Sequence, residues 1–346
     1  MRHYLEDCWV QAAGEKMCGI VGLFLKNKAL QPKLGSMMSG MLATMCDRGP
    51  DSAGFAVYGS GDSSHVKLTV RAMSCAFDFA SLARRLSEAI GSPVPVEIRD
   101  SHGVFTIPES VEQTARKTIE GFGDDVRIVG SGTRMEIYKE VGRPDTVARR
   151  FHLEDMAGSH GIAHTRMATE SAVTTDGAHP FSTGRDQCLV HNGSLSNHNA
   201  LRRQLKRRGL SFETENDTEV AAGYLTWRIS EGDSLGDALK HSLDDLDGFY
   251  TFVVGTEDGF GVLRDPIACK PAVMAETDDY VAFGSEYRAL AGLPGIEKPL
   301  RDEHKQTLGK LLEGAGLDGQ VDPSEFRRYG SARQLYHFHM DNLEAY

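Results

Sequence analysis

Short apolar runs separated by polar turns dominate the chain. The first, residues 18–25 (CGIVGLFL), is rich in β-branched residues and is typical of a buried strand. Similar runs predict strands at 53–58, 187–191, 249–255, 260–264, 272–276 and 280–284. Helical spacing predicts helices at 33–46, 198–208 and 218–230. Strands in groups with helices in blocks favour a layered α+β sandwich with antiparallel sheets over a doubly wound parallel sheet.

Residues 60–158 have a less regular pattern. Strands are predicted at 66–71, 94–98 and 126–130, and helices near 78–90 and 108–120. We interpret this stretch as an insert in a domain that covers 18–295. Residues 296–346 are a charged C-terminal extension with a predicted helix at 301–313.

Composition excludes several classes of protein. The 346 residues carry a net charge of −11, which argues against a broad nucleic-acid-binding surface. No apolar run approaches the roughly 20 residues that span a membrane. The six cysteines are scattered and form no Cys-x-x-Cys pair, so neither a metal site nor a disulfide framework is predicted. We expect a cytoplasmic protein.

Cys18 is a candidate nucleophile because it follows Met17 directly. If Cys18 is the mature N-terminus, its free α-amine, with a reference pKa of about 7.7–8.0, can accept the proton of its own thiol. Residues 1–16 lack the apolar core of a secretory signal. Residues 1–17 are then either a leader that is cut off or an extension that is not translated. A permanently attached extension would block this mechanism.

Four polar residues downstream each have a simple structural explanation. Arg48 and Arg166 could form ion pairs, Asn192 could belong to an Asn-Gly turn, and Asp217 could cap a helix. Taken together, they provide what hydrolysis of an amino-acid side-chain amide requires.

That hydrolysis requires an oxyanion hole and a site that binds a zwitterionic amino acid. The Asn192 amide and the Gly193 N–H, predicted at a turn after a strand, can donate to an oxyanion. Arg166 can hold an α-carboxylate, with the Thr169 hydroxyl beside it, and Asp217 can hold an α-ammonium.

Seven short motifs follow one another along the chain. They are CGIVG (18–22), DRGPDSAG (47–54), HTRMAT (164–169), AHP (178–180), HNGSLSN (191–197), NDTEV (216–220) and RDPIACKP (264–271). Their order and separation resemble those of the class II glutamine amidotransferases over about residues 18–290. That resemblance implies a four-layer αββα sandwich of the N-terminal-nucleophile (Ntn) hydrolase type.

The resemblance also implies roles for individual residues. Cys18 would be the nucleophile, and Asn192 and Gly193 would form the oxyanion hole. Glutamine would be bound by Arg166, Thr169 and Asp217, while Arg48 and Gly49 would belong to the loop that orders the site.

The stretch between DRGPDSAG and HTRMAT is longer than in the amidophosphoribosyltransferase and glucosamine-phosphate synthase relatives. No phosphoribosyl-pyrophosphate loop, sugar-isomerase domain or ATP-pyrophosphatase loop is recognisable. The chain most resembles the separate amidotransferase subunit of glutamate-synthase-like complexes, including N-methylglutamate synthase. This resemblance implies no cofactor in this chain, with flavin and Fe–S clusters carried by a synthase partner that receives the ammonia.

Three alternatives remain open from the sequence. The chain could be an Ntn amidase for another amide, a free-standing glutaminase, or a non-catalytic interaction subunit. The presence of both Arg166 and Asp217 argues against the first, because a simple amide needs neither charge.

Overall fold

The computed structural model describes residues 17–167, 173–296 and 335–337. A six-stranded sheet, here called the first sheet, carries the N-terminal strand β1 (Gly19–Leu25) near its centre. Its strands lie in the order β13 (Val273–Glu276), β14 (Tyr280–Gly284), β1, β8 (His160–Arg166), β2 (Ser52–Tyr58) and β7 (Met135–Val141). Every neighbouring pair is antiparallel.

The second sheet is also antiparallel and lies against the first. Its strands lie in the order β15 (Leu335–His337), β12 (Gly259–Arg264), β11 (Gly248–Thr256), β10 (Gln187–Leu195) and β9 (Phe181–Gly184). Between the sheets, Ile20 and Phe24 of β1 share one buried cluster with Val190 and Val253 of the second sheet. This cluster is the contact between the two β layers.

Helices cover both outer faces. Val21 and Leu23 of β1 point away from the second sheet and pack with α1 (Leu34–Ala43), α4 (Pro144–Arg150) and α8 (Arg288–Ala291). The second sheet packs against α5 (His198–Arg207), α6 (Asp217–Ser230) and α7 (Leu235–Asp245). Alternate side chains of a strand face opposite sides, so a strand covered on both faces is apolar at almost every position. The predicted four-layer αββα sandwich is confirmed.

A third sheet is built from the middle of the chain. Its strands lie in the order β4 (Val96–Arg99), β5 (His102–Pro108), β3 (His65–Ala72) and β6 (Val126–Gly132). Helices α2 (Phe79–Ile90) and α3 (Glu112–Glu120) share a buried cluster with it. After β6 the chain enters β7 and so returns to the first sheet.

Asp186 stabilises the turn through which the chain passes from β6 to β7. It lies in the turn between β9 and β10, and its buried carboxylate accepts hydrogen bonds from the backbone N–H groups of Thr133, Arg134 and Met135 at 2.6, 2.9 and 3.0 Å. The Thr133 hydroxyl adds a fourth bond at 2.9 Å. The Asp186 side chain therefore accepts hydrogen bonds from three consecutive backbone N–H groups at the β6–β7 turn.

We predict that Asp186→Ala lowers the free energy of unfolding by about 3 kcal/mol or more, because several buried donors lose their acceptor. Asp186→Asn should cost less, since its one remaining oxygen can still accept. Urea denaturation measures both. The exposed Asp124 provides a control whose alanine variant should stay within about 0.5 kcal/mol of wild type. Equal stabilities for Asp186→Ala and Asp124→Ala would contradict the role of this carboxylate.

Candidate active site

Cys18 lies immediately before β1 and is half-buried. The Met167 N–H donates to its Sγ at 3.4 Å, and the thiol lies 3.7 Å from the Met167 carbonyl oxygen. Burial raises the pKa of the Cys18 thiol. The Met167 N–H and the charges of Arg166, Lys270 and Arg48 oppose that rise by favouring the thiolate. At Cys18 the effect of burial outweighs the neighbouring groups that favour the thiolate.

The carbonyl group of Cys18 is held from two directions. Arg48 Nε donates to it at 2.8 Å and Asn192 Nδ2 donates at 3.0 Å. Both side chains are buried, and Arg48 also forms an ion pair with Glu286. The structure thus places Arg48 on the backbone of Cys18.

Gly49 makes the close approach of this loop possible. A Cβ at Gly49 would lie 2.6 Å from the Thr165 carbonyl carbon and 2.8 Å from the Arg166 nitrogen. Real Cβ atoms do not come so close, so any other residue would push the Arg48 loop away from the end of β8.

Asn192 and Gly193 lie within a strand, and the prediction that they form a turn is wrong. Strand β10 continues to Leu195, and Gly193 pairs with Tyr250 of β11. The Asn-Gly pair does not form a turn because residues 188–195 of β10 pair with the distant strand β11. Gly193 has a φ of +146°, and a Cβ there would lie 2.0 Å from the Phe249 carbonyl oxygen. Gly193 is exposed, and only glycine fits at this position.

Arg166 ends β8 and is buried. The backbone of Gly177 packs against its guanidinium, since a Cβ at Gly177 would lie 3.1 Å from Nη1. Thr169, the predicted neighbour of the same substrate carboxylate, lies outside the described residues.

Asp217 is the first residue of α6, and Asn216 rather than Asp217 is the N-cap. Burial alone would raise the pKa of Asp217, but the His191 side chain and the Leu195 N–H, which donates at 3.0 Å, lower it to about 2. The carboxylate therefore stays ionised at any pH at which the enzyme could work.

Three buried histidines lie behind this carboxylate, and sequence reasoning assigned them no role. The Thr218 hydroxyl bridges His179 Nε2 at 2.7 Å and His191 Nδ1 at 3.0 Å. His164 Nε2 lies 3.0 Å from the His191 carbonyl oxygen, and the His164 and His179 rings are 4.0 Å apart. Burial lowers the pKa of His164 to about 3 and that of His179 well below its usual value. Both rings are neutral; His164 supports the backbone beside Asn192 through the His191 carbonyl, and His179 supports the Thr218 hydroxyl.

Lys270 and Phe249 border the site on its exposed side. Lys270 Nζ lies 5.2 Å from the centre of the Phe249 ring and 3.9 Å from Met17 Sδ. Lys270 belongs to the RDPIACKP motif, but its position beside the nucleophile could not be inferred from that motif alone. Glu286, the partner of Arg48, gave no signal in the sequence.

Among the described residues, no group of three or more His, Cys, Asp or Glu side chains is arranged to hold a metal ion. In the same part of the chain, no helix combines the length and apolar character needed to cross a membrane.

Comparison with known proteins agrees with this geometry. A family model described as "Glutamine amidotransferase domain" matches residues 164–292. The glutamine amidotransferase-like protein GlxB of Rhizobium meliloti (strain 1021) is 63% identical over 281 residues, which are 81% of this chain and 93% of that protein. A putative glutamine amidotransferase of Methanothermobacter thermautotrophicus (strain Delta H) is 34% identical over 292 residues, 79% of this chain and 93% of that protein.

More distant relatives share only part of their length. A glutamine–fructose-6-phosphate aminotransferase of Vibrio vulnificus (strain YJ016) is 34% identical over 145 residues, 42% of this chain and 24% of that enzyme. The solved glutamine phosphoribosylpyrophosphate amidotransferase of B. subtilis superposes with a TM-score of 0.50 at 20% identity, over 79% of this chain and 43% of its own. A second solved enzyme, the allosteric regulatory enzyme of purine biosynthesis, gives 0.52, also at 20% identity and with the same coverage.

The fold and these relatives define an enzyme of the class II glutamine amidotransferases. The chain belongs to the glutamine amidotransferase family.

Proposed function

We propose that the protein hydrolyses L-glutamine to glutamate and ammonia through a thioester on Cys18. The observation that carries this proposal is the meeting of the two sheets at Cys18. Asn192, from the second sheet, places its side-chain amide 3.0 Å from the Cys18 carbonyl oxygen, at the end of a first-sheet strand. Because the Asn192 amide is bound to the backbone of Cys18, the amide and the thiol can both reach one substrate carbonyl group.

The proposed reaction has two stages. The α-amine of Cys18 accepts the thiol proton, and the thiolate attacks the side-chain carbonyl carbon of glutamine. Asn192 Nδ2 and the Gly193 N–H hold the resulting oxyanion. The C–N bond breaks as the protonated amine returns its proton to the leaving nitrogen, and ammonia departs. Water then attacks the thioester and releases glutamate.

We propose that the site recognises the two opposite charges of glutamine, its α-carboxylate and its α-ammonium. Arg166 would pair with the α-carboxylate, with Thr169 beside it, and Asp217 would pair with the α-ammonium. A carboxylate with a pKa of about 2 stays charged throughout neutral pH, so Asp217 suits this role.

We predict that Cys18→Ala abolishes glutamine hydrolysis without unfolding the protein. Asn192→Ala should lower kcat by about 10²–10³, since one oxyanion donor is lost. Asp217→Ala should mainly raise KM. Glutamate release by coupled assay measures all three. Cys75→Ala, at an exposed cysteine, is the control and should behave as wild type. Wild-type turnover by Asn192→Ala would show that the oxyanion hole is assigned incorrectly.

We also predict that active protein begins at Cys18. The mechanism needs a free amine there, and in the structure Met17 contacts Lys270 at the site itself. Intact-mass analysis of active protein from its native source should show that residues 1–17 are missing. Full activity in protein that still carries Met17 would rule out the α-amine as the base.

The alternatives can be tested directly. An Ntn amidase for another substrate would hydrolyse simple acyl amides as well as glutamine. A non-catalytic interaction subunit would hydrolyse neither, even when it begins at Cys18. Rates on glutamine and on a simple primary amide, measured side by side, distinguish the three readings.

We further propose that the ammonia passes to a partner synthase subunit of the glutamate-synthase-like kind, with N-methylglutamate synthase as one form. Any flavin or Fe–S cofactor would belong to that partner. Exposed apolar side chains around the loop that carries Lys270 support a docked partner. Ile267 is 71% exposed in the loop that leads to Lys270, and Phe249 lies under Lys270 at 39% exposure.

The loop that presents Ile267 is well fixed. Asp265 accepts from the Ile267 N–H at 2.8 Å, and Arg264 Nε donates to the Lys270 carbonyl at 2.9 Å. A fixed, exposed apolar residue loses little conformational entropy when a partner covers it, which favours its use at an interface.

We predict that Ile267→Glu weakens association with the synthase and glutamine-dependent synthesis, while glutamine hydrolysis by the isolated chain is retained. Ile98→Glu, at a 51% exposed position on the edge strand β4, tests the insert as the alternative docking surface. Co-purification with a flavoprotein and synthesis from glutamine or from ammonia are the measurements. Synthesis from added ammonia should remain. An isolated chain that is fully active and recruits no synthase would favour a free-standing glutaminase.

A further inference from the structure

The short segment 173–180 joins the third sheet to the proposed substrate site. Its Gly177 backbone packs against the guanidinium of Arg166. On its other side, the Gly177 carbonyl lies 3.5 Å from Asn216 Nδ2, at the residue before Asp217. This segment, here called the 173–180 loop, therefore touches the positions of both residues that we propose hold the ends of glutamine.

Asp176 of this loop is bound by the third sheet. Arg71 of β3, which is 6% exposed, forms an ion pair with one oxygen of the Asp176 carboxylate. Arg127 of β6 lies 3.7 Å from the other oxygen. Arg71 and Arg127 are directly opposite each other in the β3–β6 ladder.

This register has an electrostatic consequence. Directly opposed residues project from the same face of a sheet, and like charges in that position repel each other. A shared anion removes the repulsion, and Asp176 places one carboxylate oxygen towards each guanidinium. Glu213 also lies 3.7 Å from Arg127, but Asp176 is the carboxylate that contacts both guanidinium groups, and it is supplied by the loop beside Arg166.

A second attachment holds the backbone of the same loop. Lys139 of β7 is buried, and its Nζ donates to the carbonyl oxygens of Asp176, Ala178 and Pro180 at 3.3, 3.0 and 3.5 Å. Gly54 of β2, which pairs with Lys139, allows the close approach, because a Cβ there would lie 2.2 Å from the His179 carbonyl oxygen. Lys139 thus holds the backbone of the loop, whereas Arg71 holds the side chain of Asp176.

We propose that the third sheet is a positioning device for the substrate site, in which Arg71 holds the 173–180 loop through Asp176 and so sets the orientation of Arg166. Arg71 and Asp176 are positioning residues that do not touch the reacting atoms. This inference rests on the proposed function for its kinetic consequence. It gives the insert a role within the same chain, in addition to any contact with a partner.

The test compares Arg71→Met, Asp176→Asn and the double variant with Arg116→Met. Arg116 is the matched control because it is also an arginine of the insert in an ion pair, with Glu112 at 2.7 Å, and within the described part of the chain its hydrogen bonds go to Glu112 rather than to the loop. In the first two variants we expect KM for glutamine to rise about tenfold, in the range typical of coupling between sites, with kcat within about twofold of wild type. Arg116→Met should match wild type.

Two further comparisons separate positioning from general damage. The double variant should be no worse than the more affected single variant, because the two residues act as one unit. Arg71→Lys keeps the charge and should recover most of the affinity for glutamine. Additive effects, an equal effect of Arg116→Met, or a folded Arg71→Met variant with wild-type KM would each overturn the proposal.

Backbone hydrogen exchange of the 173–180 loop tests the attachment without any substrate. Exchange should accelerate in Arg71→Met and Asp176→Asn and stay unchanged in Arg116→Met. Unchanged exchange in all variants would overturn the attachment itself. Wild-type protein that does not hydrolyse glutamine would disprove the proposed function, and the exchange result would still decide whether Arg71 holds the loop.

Discussion

The antiparallel pairing of β1 with β8 is the constraint on which the site depends. Gly19 lies opposite Thr165 in this ladder, so Cys18 emerges beside Arg166 and Met167. A shift of one residue would turn Ile20 and Phe24 from the sheet–sheet core towards the helices, and the register is therefore fixed by burial as well as by hydrogen bonds. The same pairing that builds the core sets the position of Cys18, the proposed nucleophile.

Charged side chains act on the residues that the β1–β8 pairing brings together. Burial disfavours a thiolate at Cys18, whereas the charges of Arg48, Arg166 and Lys270 favour it. Arg48 is in turn neutralised by Glu286, and Asp217 is held ionised by the His191 side chain and the Leu195 N–H. The site is therefore a set of compensated charges rather than a single activated residue.

Much of this arrangement could be predicted from the sequence, where the information was local. Residues 18–25 are apolar at nearly every position because both faces of β1 are covered, and that pattern is visible without a structure. The motifs likewise marked Cys18, Asn192 and Asp217. Strand β7 was not foreseen, because Glu136, Lys139 and Glu140 conceal the alternation of its apolar residues.

Contacts between distant segments could not be predicted. The Asn-Gly pair has the composition of a turn, and only the presence of β11 alongside shows that it lies within a strand. Glu286 has no distinguishing neighbours, and its pairing with Arg48 depends on the position of β14 in the sheet. Arg71 and Asp176 are ordinary surface-type residues until the third sheet is placed against the sandwich.

The carbonyl oxygen of Cys18 links the nucleophile to both halves of the sandwich at once. One of its donors, Arg48, follows a helix packed on the first sheet, and the other, Asn192, belongs to the second sheet. A change in the spacing between the sheets would therefore displace Cys18 from Asn192, its proposed oxyanion donor, and an error of about 1 Å can cost about 100-fold in rate. Catalytic competence would then be lost while the chain is still folded, so that inactivation reports on the spacing of the two layers rather than on their unfolding.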